Sequence, residues 1–96
     1  MCGIYAQFGS FKINDALKCL QKLEYRGYDS YGIGYENNQI YKNIGRIDFV
    51  TEDENRMIKK AICHTRWATN GSVNVVNAHP QISSDKQIIL VHNGIL

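Results

Sequence analysis

The sequence of 96 residues has one proline, three cysteines and no long apolar run. No apolar stretch approaches the ~18 residues that a transmembrane helix needs, and the N-terminus lacks the basic-then-apolar pattern of a secretory signal. We therefore expect no membrane span, and a cytoplasmic chain whose thiols stay reduced. Eleven basic and nine acidic residues are interspersed and give a net charge of +2. Neither nucleic acid nor an anionic membrane is therefore an expected partner.

Common catalytic signatures are also missing. The sequence has no carboxylate dyad and no glycine-rich phosphate loop, and its three histidines do not have the spacing of zinc ligands. We expect neither a metal nor a cofactor. The cysteines, at positions 2, 19 and 63, form no CxxC motif, and their odd number argues against a disulfide framework. We interpret Cys19 and Cys63 as packing residues, which leaves Cys2 as the thiol in a chemically distinctive position.

The hydrophobic pattern predicts one small domain of short strands and helices. A strand over 2–8 is expected to end at Gly9-Ser10, and a helix follows over about 15–25. Asn14 is the expected N-cap of this helix, and Gly27 its left-handed stop. The other expected elements are a hairpin over 32–35 and 39–44 with its turn at 36–38, a helix over 51–60, a central strand over 61–67, a turn at 70–72, a structured loop over 73–84 and a buried strand over 87–92.

Cys2 becomes the first residue once Met1 is removed, and a side chain as small as cysteine normally permits this removal. An α-amine has a reference pKa of ~7.7–8.0 and a cysteine thiol one of ~8.5, so near neutrality the amine can accept the thiol proton. Such a residue combines a nucleophile with its own general base. The alternative, which the position alone favours, is that Cys2 is an ordinary strand residue.

The segment 64–71 follows the central strand and is rich in charged, aromatic and hydroxyl side chains. The planar guanidinium of Arg66 suits the carboxylate of an amino-acid substrate, with the Thr69 hydroxyl as a second ligand. Trp67 can form a wall of such a site. The alternative is a strand end with a solvated arginine and a core tryptophan.

Asn93 and Gly94 follow the last predicted strand. A thiolate that attacks a carbonyl group creates an oxyanion, and an asparagine amide with a neighbouring backbone N–H supplies the two donors that it needs. The alternative is a plain Asn-Gly turn. Arg26 could anchor the terminal strand or the substrate loop, and its alternative is a capping and salt-bridge role. His79 could line the pocket, and its alternative is a structural role in the loop before Pro80.

Five motifs occur here in a characteristic order: Met-Cys-Gly-Ile, Leu-Glu-Tyr-Arg-Gly-Tyr-Asp-Ser, His-Thr-Arg-Trp-Ala-Thr, Val-Asn-Ala-His-Pro and Val-His-Asn-Gly-Ile. In order and spacing they resemble the glutaminase domain of the glutamine–fructose-6-phosphate aminotransferase (isomerising) family, and the resemblance spans the whole chain. Amidophosphoribosyltransferase and asparagine synthetase, which are other class II glutamine amidotransferases, share the cysteine and the Asn-Gly pair but differ in the arginine motifs.

The resemblance implies an α+β fold, the αββα sandwich of N-terminal-nucleophile hydrolases, of which residues 1–96 are expected to form only the N-terminal portion. It implies that Cys2 attacks the side-chain amide of glutamine and releases ammonia, and that water then frees glutamate. Asn93 and Gly94 match the oxyanion-hole positions. The substrate-binding positions that match are Arg66, Trp67, Thr69, His79 and Arg26.

In the family, the ammonia reaches a C-terminal sugar-isomerase domain that makes glucosamine 6-phosphate from fructose 6-phosphate. We expect that domain and the rest of the glutaminase domain beyond Leu96, little activity from the isolated chain, and a full-length enzyme that can form a homo-oligomer. Asn70 and Gln81 stand where the family usually has histidine. Two alternatives stay open, a non-catalytic module that pairs with a complementary chain and an amidophosphoribosyltransferase-like glutaminase.

Overall fold

A computed structural model describes residues 2–50, 55–67 and 73–93. These residues form a four-stranded antiparallel sheet in the order β1-β4-β2-β3, an α-helix and a two-stranded ribbon. The arrangement is α+β, as expected. The elements are β1 (Gly3–Lys12), α1 (Ile13–Gln21), β2 (Ser30–Tyr35), β3 (Gln39–Ile44), β4 (Met57–Arg66), β5 (Gln81–Ile82) and β6 (Ile89–Leu90), with short 3₁₀ helices at Glu24–Arg26 and Glu36–Asn38.

Strand β1 continues through the break that was expected at Gly9-Ser10. Gly9 adopts a φ of +127°, and the register with β4 shifts between Phe8 and Phe11. An extra residue in one strand of an antiparallel pair is a β-bulge, which bends the strand without ending it. The predicted break is therefore wrong, because Gly9 permits a bulge inside a paired strand.

Helix α1 begins at Ile13, and its N-cap is Lys12 instead of the expected Asn14. The carboxylate of Asp15 accepts a hydrogen bond from the backbone N–H of Lys12 at 3.0 Å. The Asn14 side chain exchanges two hydrogen bonds with the backbone of Val50, at 2.8 and 3.0 Å. Asn14 therefore ties the helix to the segment after β3, a long-range role that local capping rules do not predict.

The predicted left-handed helix stop at Gly27 is also wrong. Helix α1 ends at Gln21, and Gly27 has an extended backbone with φ 160° and ψ 138°. A Cβ atom on Gly27 would lie 2.7 Å from the backbone nitrogen of Trp67. Glycine is needed here because two backbone segments approach closely, and not because a helix ends.

The hydrophobic core lies between α1 and the sheet. Leu17 and Leu20 of the helix are fully buried against β1 and β4, and each contributes about 1.5–3 kcal/mol through its burial. Cys63 of β4 is buried in this core, as expected, and burial raises the pKa of its thiol to about 12. Cys19 is half-buried on the helix, in agreement with a packing role.

After helix α1, some predicted elements are present and others are not. The hairpin of β2 and β3 and the central strand β4 are confirmed, and the loop expected over 73–84 is made largely of turns. The helix expected over 51–60 is wrong where it can be compared, since residues 57–60 belong to β4 and pair with β1. The buried strand expected over 87–92 is reduced to β6, whose Leu90 is exposed. The turn expected at 70–72 lies outside the described residues.

The sheet face opposite α1 is covered in part by the segment around His79 and Pro80. Gly32 of β2 faces this segment, and a Cβ atom there would collide with the carbonyl oxygen of His79 and lie 2.9 Å from Pro80 Cδ. The Lys42 ammonium on β3 donates hydrogen bonds to the carbonyl oxygens of Ala78, at 2.9 Å, and Pro80, at 3.4 Å. Because Gly32 has no side chain and Lys42 binds two carbonyl oxygens of this segment, His79 packs directly on the sheet.

Candidate functional site

Cys2 lies at the end of the sheet where β1 begins and β4 ends. Gly3 pairs with Thr65 in the antiparallel register, which brings the neighbouring Cys2 next to Trp67. The backbone N–H of Trp67 points at Cys2 Sγ over 3.5 Å, and the Cys2 thiol points at the Trp67 carbonyl oxygen over 3.9 Å.

Gly3 allows the start of β1 to pack tightly. Its backbone N–H donates to Thr65 Oγ1 at 3.2 Å. A Cβ atom on Gly3 would lie 2.8 Å from Leu23 Cβ and 2.9 Å from Thr65 Oγ1. Any larger residue after Cys2 would therefore push the sulfur out of its present position.

Two side chains from distant parts of the sequence hold the carbonyl oxygen of Cys2. Arg26 Nε donates to it at 3.2 Å, and Asn93 Nδ2 donates to it at 3.0 Å. Arg26 reaches it from the 3₁₀ helix after α1, and Asn93 from the segment after β6. The backbone next to the thiol is thus fixed from two sides.

His64 of β4 lies beneath Asn93 and is buried, with 1% of its surface exposed. His64 Nε2 is 3.0 Å from Asn93 Oδ1 and 3.1 Å from the carbonyl oxygen of His92. Its ring packs against that of His79, with centroids 4.6 Å apart. The pKa of His64 is lowered to about 4, mainly by burial and secondly by the neighbouring His79. The ring is therefore neutral at physiological pH.

Arg66 is the last residue of β4, and only 9% of its surface is exposed. Its carbonyl oxygen accepts the backbone N–H of Asp29 at 2.9 Å, which joins this strand end to the segment before β2. His64 and Arg66 are two residues apart on one strand and share a face of the sheet. Burial lowers the pKa of His79, and the positive charge of Arg66 lowers it further.

Trp67 is half exposed beside the sulfur, and its ring meets Tyr28 edge-on at a centroid distance of 6.3 Å. Such T-shaped pairs contribute about 0.5–1.5 kcal/mol beyond burial. Tyr28 was not among the residues singled out from the sequence, although it lies within the same motif as Arg26. Thr69 and Gly94, expected as substrate and oxyanion ligands, lie outside the described residues.

A cleft of about 260 Å³ opens at this end of the sheet, lined by Cys2, Gly3, Ile4, Leu23, Arg26 and Asn93. A second cleft of about 320 Å³ lies elsewhere on the sheet, between Phe8 and Ile88. The first cleft holds the sulfur and two hydrogen-bond donors, and we therefore take it as the candidate site. The described residues contain no group of His, Cys, Asp or Glu side chains placed to hold a metal ion.

The expected site residues that the structure describes fall into two groups. Arg26, Trp67 and Asn93 contact Cys2 directly. His79 and Arg66 are linked to this group through the face of β4 that carries His64. His64 was not among the residues expected at the site, yet it lies two residues before Arg66 in a predicted strand, which indicates that both share one face.

None of the helical segments in the described part of the chain has both the length and the apolar character that a bilayer crossing requires.

No protein-family model matches the chain. Among curated proteins, the whole chain is 45% identical over 103 residues to the glutamine–fructose-6-phosphate aminotransferase (isomerizing) of Thermotoga maritima. It is 46% identical over 102 residues to the protein of the same name from Bacillus subtilis, and 45% over 104 residues to that from Lactiplantibacillus plantarum. In each case the match covers 100% of this chain and 17% of the relative's length.

Proposed function

Because the chain is related over its whole length to the N-terminal part of the glutamine–fructose-6-phosphate aminotransferases, we propose that it carries the nucleophile of a class II glutamine amidotransferase domain. The observation that carries the proposal is the setting of Cys2. Its sulfur faces the Trp67 backbone N–H, and its carbonyl oxygen is held by Arg26 and Asn93. This setting gives a thiol a fixed backbone and an open cleft, which nucleophilic attack on a bound substrate requires.

In the proposed reaction, removal of Met1 exposes the α-amine of Cys2, which takes the thiol proton. The thiolate attacks the side-chain carbonyl carbon of glutamine and forms a tetrahedral oxyanion. The C–N bond then breaks, the nitrogen takes up the proton and leaves as ammonia, and a glutamyl thioester remains on Cys2. Water adds to the thioester, the C–S bond breaks, and glutamate and the free thiol are released.

In this proposal, Asn93 and Gly94 stabilise the oxyanion. The Asn93 amide has two N–H donors, and the hydrogen bond to the Cys2 carbonyl uses one of them. The second is available to the oxygen of a substrate carbonyl in the cleft, and the Gly94 backbone N–H is the other proposed donor. Loss of one such donor costs about 10²–10³ in rate.

For the substrate, we propose that Arg66 binds the α-carboxylate of glutamine, with Thr69 and Trp67 beside it. The guanidinium fork matches a carboxylate in a bidentate geometry. Arg26 and His79 are proposed as pocket-side residues, and the contact of Arg26 with the Cys2 carbonyl supports this for Arg26. The antiparallel sheet with α1 on one face is compatible with part of the αββα sandwich of N-terminal-nucleophile hydrolases.

We also propose that the ammonia serves the synthesis of glucosamine 6-phosphate from fructose 6-phosphate in the cytoplasm, in a complete enzyme with a sugar-isomerase domain. The name of the relatives, which pairs glutamine with fructose 6-phosphate, supports this destination. Their greater length supports the further domain, since the matched region is 17% of it.

A glutamine-analogue chloromethyl ketone tests the proposed site directly. The analogue should alkylate Cys2 alone, and an excess of glutamine should protect it, as peptide mass spectrometry would show. Cys19, which is half-buried on the helix, is an internal control for non-specific alkylation. Equal modification of Cys2 and Cys19 without protection by glutamine would favour a non-catalytic module over a glutaminase.

A further inference from the structure

The buried ring of His64 connects two groups that both accept hydrogen bonds. One is the carbonyl oxygen of His92, 3.1 Å from Nε2, and the other is Asn93 Oδ1, 3.0 Å from the same atom. A backbone carbonyl has no proton to give, so Nε2 must carry the hydrogen. His64 Nδ1 is buried and has no hydrogen-bond partner among the described residues, as an unprotonated ring nitrogen can. The geometry thus assigns the neutral Nε2–H tautomer.

This tautomer determines which way the Asn93 amide points. With Oδ1 towards His64 Nε2–H, the NH₂ group faces the carbonyl oxygen of Cys2, and both contacts are favourable. A flipped amide would set an oxygen against the Cys2 carbonyl and an NH₂ against the His64 N–H. Without this constraint, the terminal torsion of an asparagine is broad and roughly two-fold, and the Asn93 side chain is otherwise exposed.

We propose that His64 is a positioning residue that holds the Asn93 amide with its NH₂ group towards Cys2. The second N–H of that amide is then directed into the cleft, where the proposed oxyanion forms. The inference concerns the orientation of Asn93 and rests on the proposed glutaminase function only for its catalytic consequence. His64 itself touches neither the sulfur nor the substrate in this assignment.

The surroundings of His64 keep it in the neutral form that this role needs. The groups that face it and can carry charge are His79, whose ring packs on it, and Arg66 on the same strand face, and both are positive when charged. A protonated His64 would also place a second N–H at the buried Nδ1, for which the described part of the chain supplies no acceptor. Burial together with these neighbours lowers the pKa of His64 to about 4.

Two variants of His64 separate the hydrogen bond from the bulk of the ring. His64→Gln keeps an N–H donor at nearly the distance of Nε2, whereas His64→Phe keeps a flat ring against His79 and has no donor. Cys63→Ala is the matched control, because its side chain lies on the opposite face of β4 and is equally buried. Thermal unfolding of each variant reports any general loss of stability.

The first readout is nuclear magnetic resonance of the ¹⁵N-labelled chain, which needs no activity. We expect wild-type His64 to carry its proton on Nε2, and the two Asn93 side-chain N–H signals to be displaced from their random-coil positions and protected from exchange with water. In His64→Phe these signals should move to the random-coil positions and lose their protection. A proton on Nδ1, or unprotected Asn93 amide signals at random-coil positions in the wild type, would overturn the proposal even if the phenylalanine variant does not fold.

The second readout is glutamine hydrolysis. We expect His64→Phe to lower kcat about 10–100-fold, which is somewhat less than the effect of losing the Asn93 donor itself. Its KM should stay within about 2-fold of the wild-type value. His64→Gln should recover most of kcat. An unchanged kcat in His64→Phe beside an active wild type would overturn the inference and leave the glutaminase proposal standing. Because little activity is expected from the isolated chain, an inactive wild type would agree with that expectation, and the resonance data would then decide the role of His64 alone.

Discussion

The side-chain amide of Asn93 donates a hydrogen bond of 3.0 Å to the carbonyl oxygen of Cys2, across 91 positions of sequence. This contact joins the two ends of the described chain at the mouth of one cleft. It also links the first proposed catalytic group, a thiol, to the second, an oxyanion donor. The proposed chemistry therefore depends on tertiary structure built from nearly the whole sequence.

Replacement of Cys2 by alanine should abolish glutamine hydrolysis. The thiol is the group that attacks glutamine in the proposed mechanism, so we expect a loss of at least about 10⁴-fold in kcat. Steady-state assays of glutamate release measure the effect. Cys19→Ala is the matched control, since Cys19 packs on the helix away from the cleft. Intact-mass analysis should also show wild-type protein that lacks Met1, and a retained methionine would contradict the proposed general base.

Replacement of Arg26 by methionine should weaken catalysis more than stability. The variant keeps an unbranched side chain but cannot donate to the Cys2 carbonyl oxygen, which Arg26 Nε contacts at 3.2 Å. A small displacement of a nucleophile can cost up to about 10²-fold in rate, and we expect a loss of 10–100-fold in the alkylation rate of Cys2. Arg56→Met is the control, because Arg56 is exposed near Tyr35, outside the cleft. Equal rates in both variants would contradict a role for Arg26.

Gly27→Ala should change the reactivity of Cys2 from a distance. The added methyl group would lie 2.7 Å from the Trp67 backbone nitrogen, and the N–H of that nitrogen faces Cys2 Sγ. We expect a loss of about 1–3 kcal/mol in the free energy of unfolding, as for other overpacked sites, and slower alkylation of Cys2. Denaturant titration and a timed alkylation measure the two effects.

Gly9→Ala is the control for Gly27→Ala. Gly9 has a positive φ of 127° but open space around it, so alanine there strains the backbone without a collision, at a cost of about 1–3 kcal/mol. Its alkylation rate should equal that of the wild type. If both glycine variants slowed alkylation alike, the effect of Gly27 would be one of stability alone.

The free energy of unfolding should fall as the pH is lowered from 6.5 to 4. The pKa of His64 is lowered from 6.5 to about 4 in the folded protein, so the unfolded chain binds more protons within this range. The stabilisation from His64 is therefore complete above pH 6.5 and is lost towards pH 4, by roughly 3 kcal/mol. His79, whose pKa is also lowered, adds to the same trend.

Denaturant titrations at several pH values, with His64→Gln beside the wild type, measure this contribution. The variant lacks the titrating imidazole, so its stability should depend less steeply on pH over the same range. Carboxyl groups titrate equally in both proteins and cancel in the difference. Parallel curves for the two proteins would contradict the lowered pKa of His64.

Features that depend on neighbouring residues could be predicted from the sequence. The turn at 36–38 is one example, because Asn37 and Asn38 adopt positive φ values of 62° and 55°, which asparagine tolerates better than most residues. Cys63 is another, since an apolar run predicts a buried strand. In these cases the local pattern and the tertiary structure favour the same conformation.

The features that could not be predicted depend on contacts between distant segments. The mostly polar composition of residues 48–60 suited a helix over 51–60, yet Met57 pairs with Lys12 and Lys60 with Phe8 in the sheet. The pairing of this segment with β1 outweighed its weak local preference for a helix. At the candidate site, the sequence motifs named Cys2 and Asn93, but the hydrogen bond from His64 that orients the asparagine follows only from the folded register.

The distance in sequence between the thiol and its amide partner also sets an order of events during synthesis. Cys2 leaves the ribosome before Asn93, which follows 91 positions later. At about 5–20 residues per second, the nascent thiol waits roughly 5–20 s before its partner emerges. Throughout that interval the sulfur is exposed to cellular oxidants and electrophiles without the cleft that later governs its chemistry.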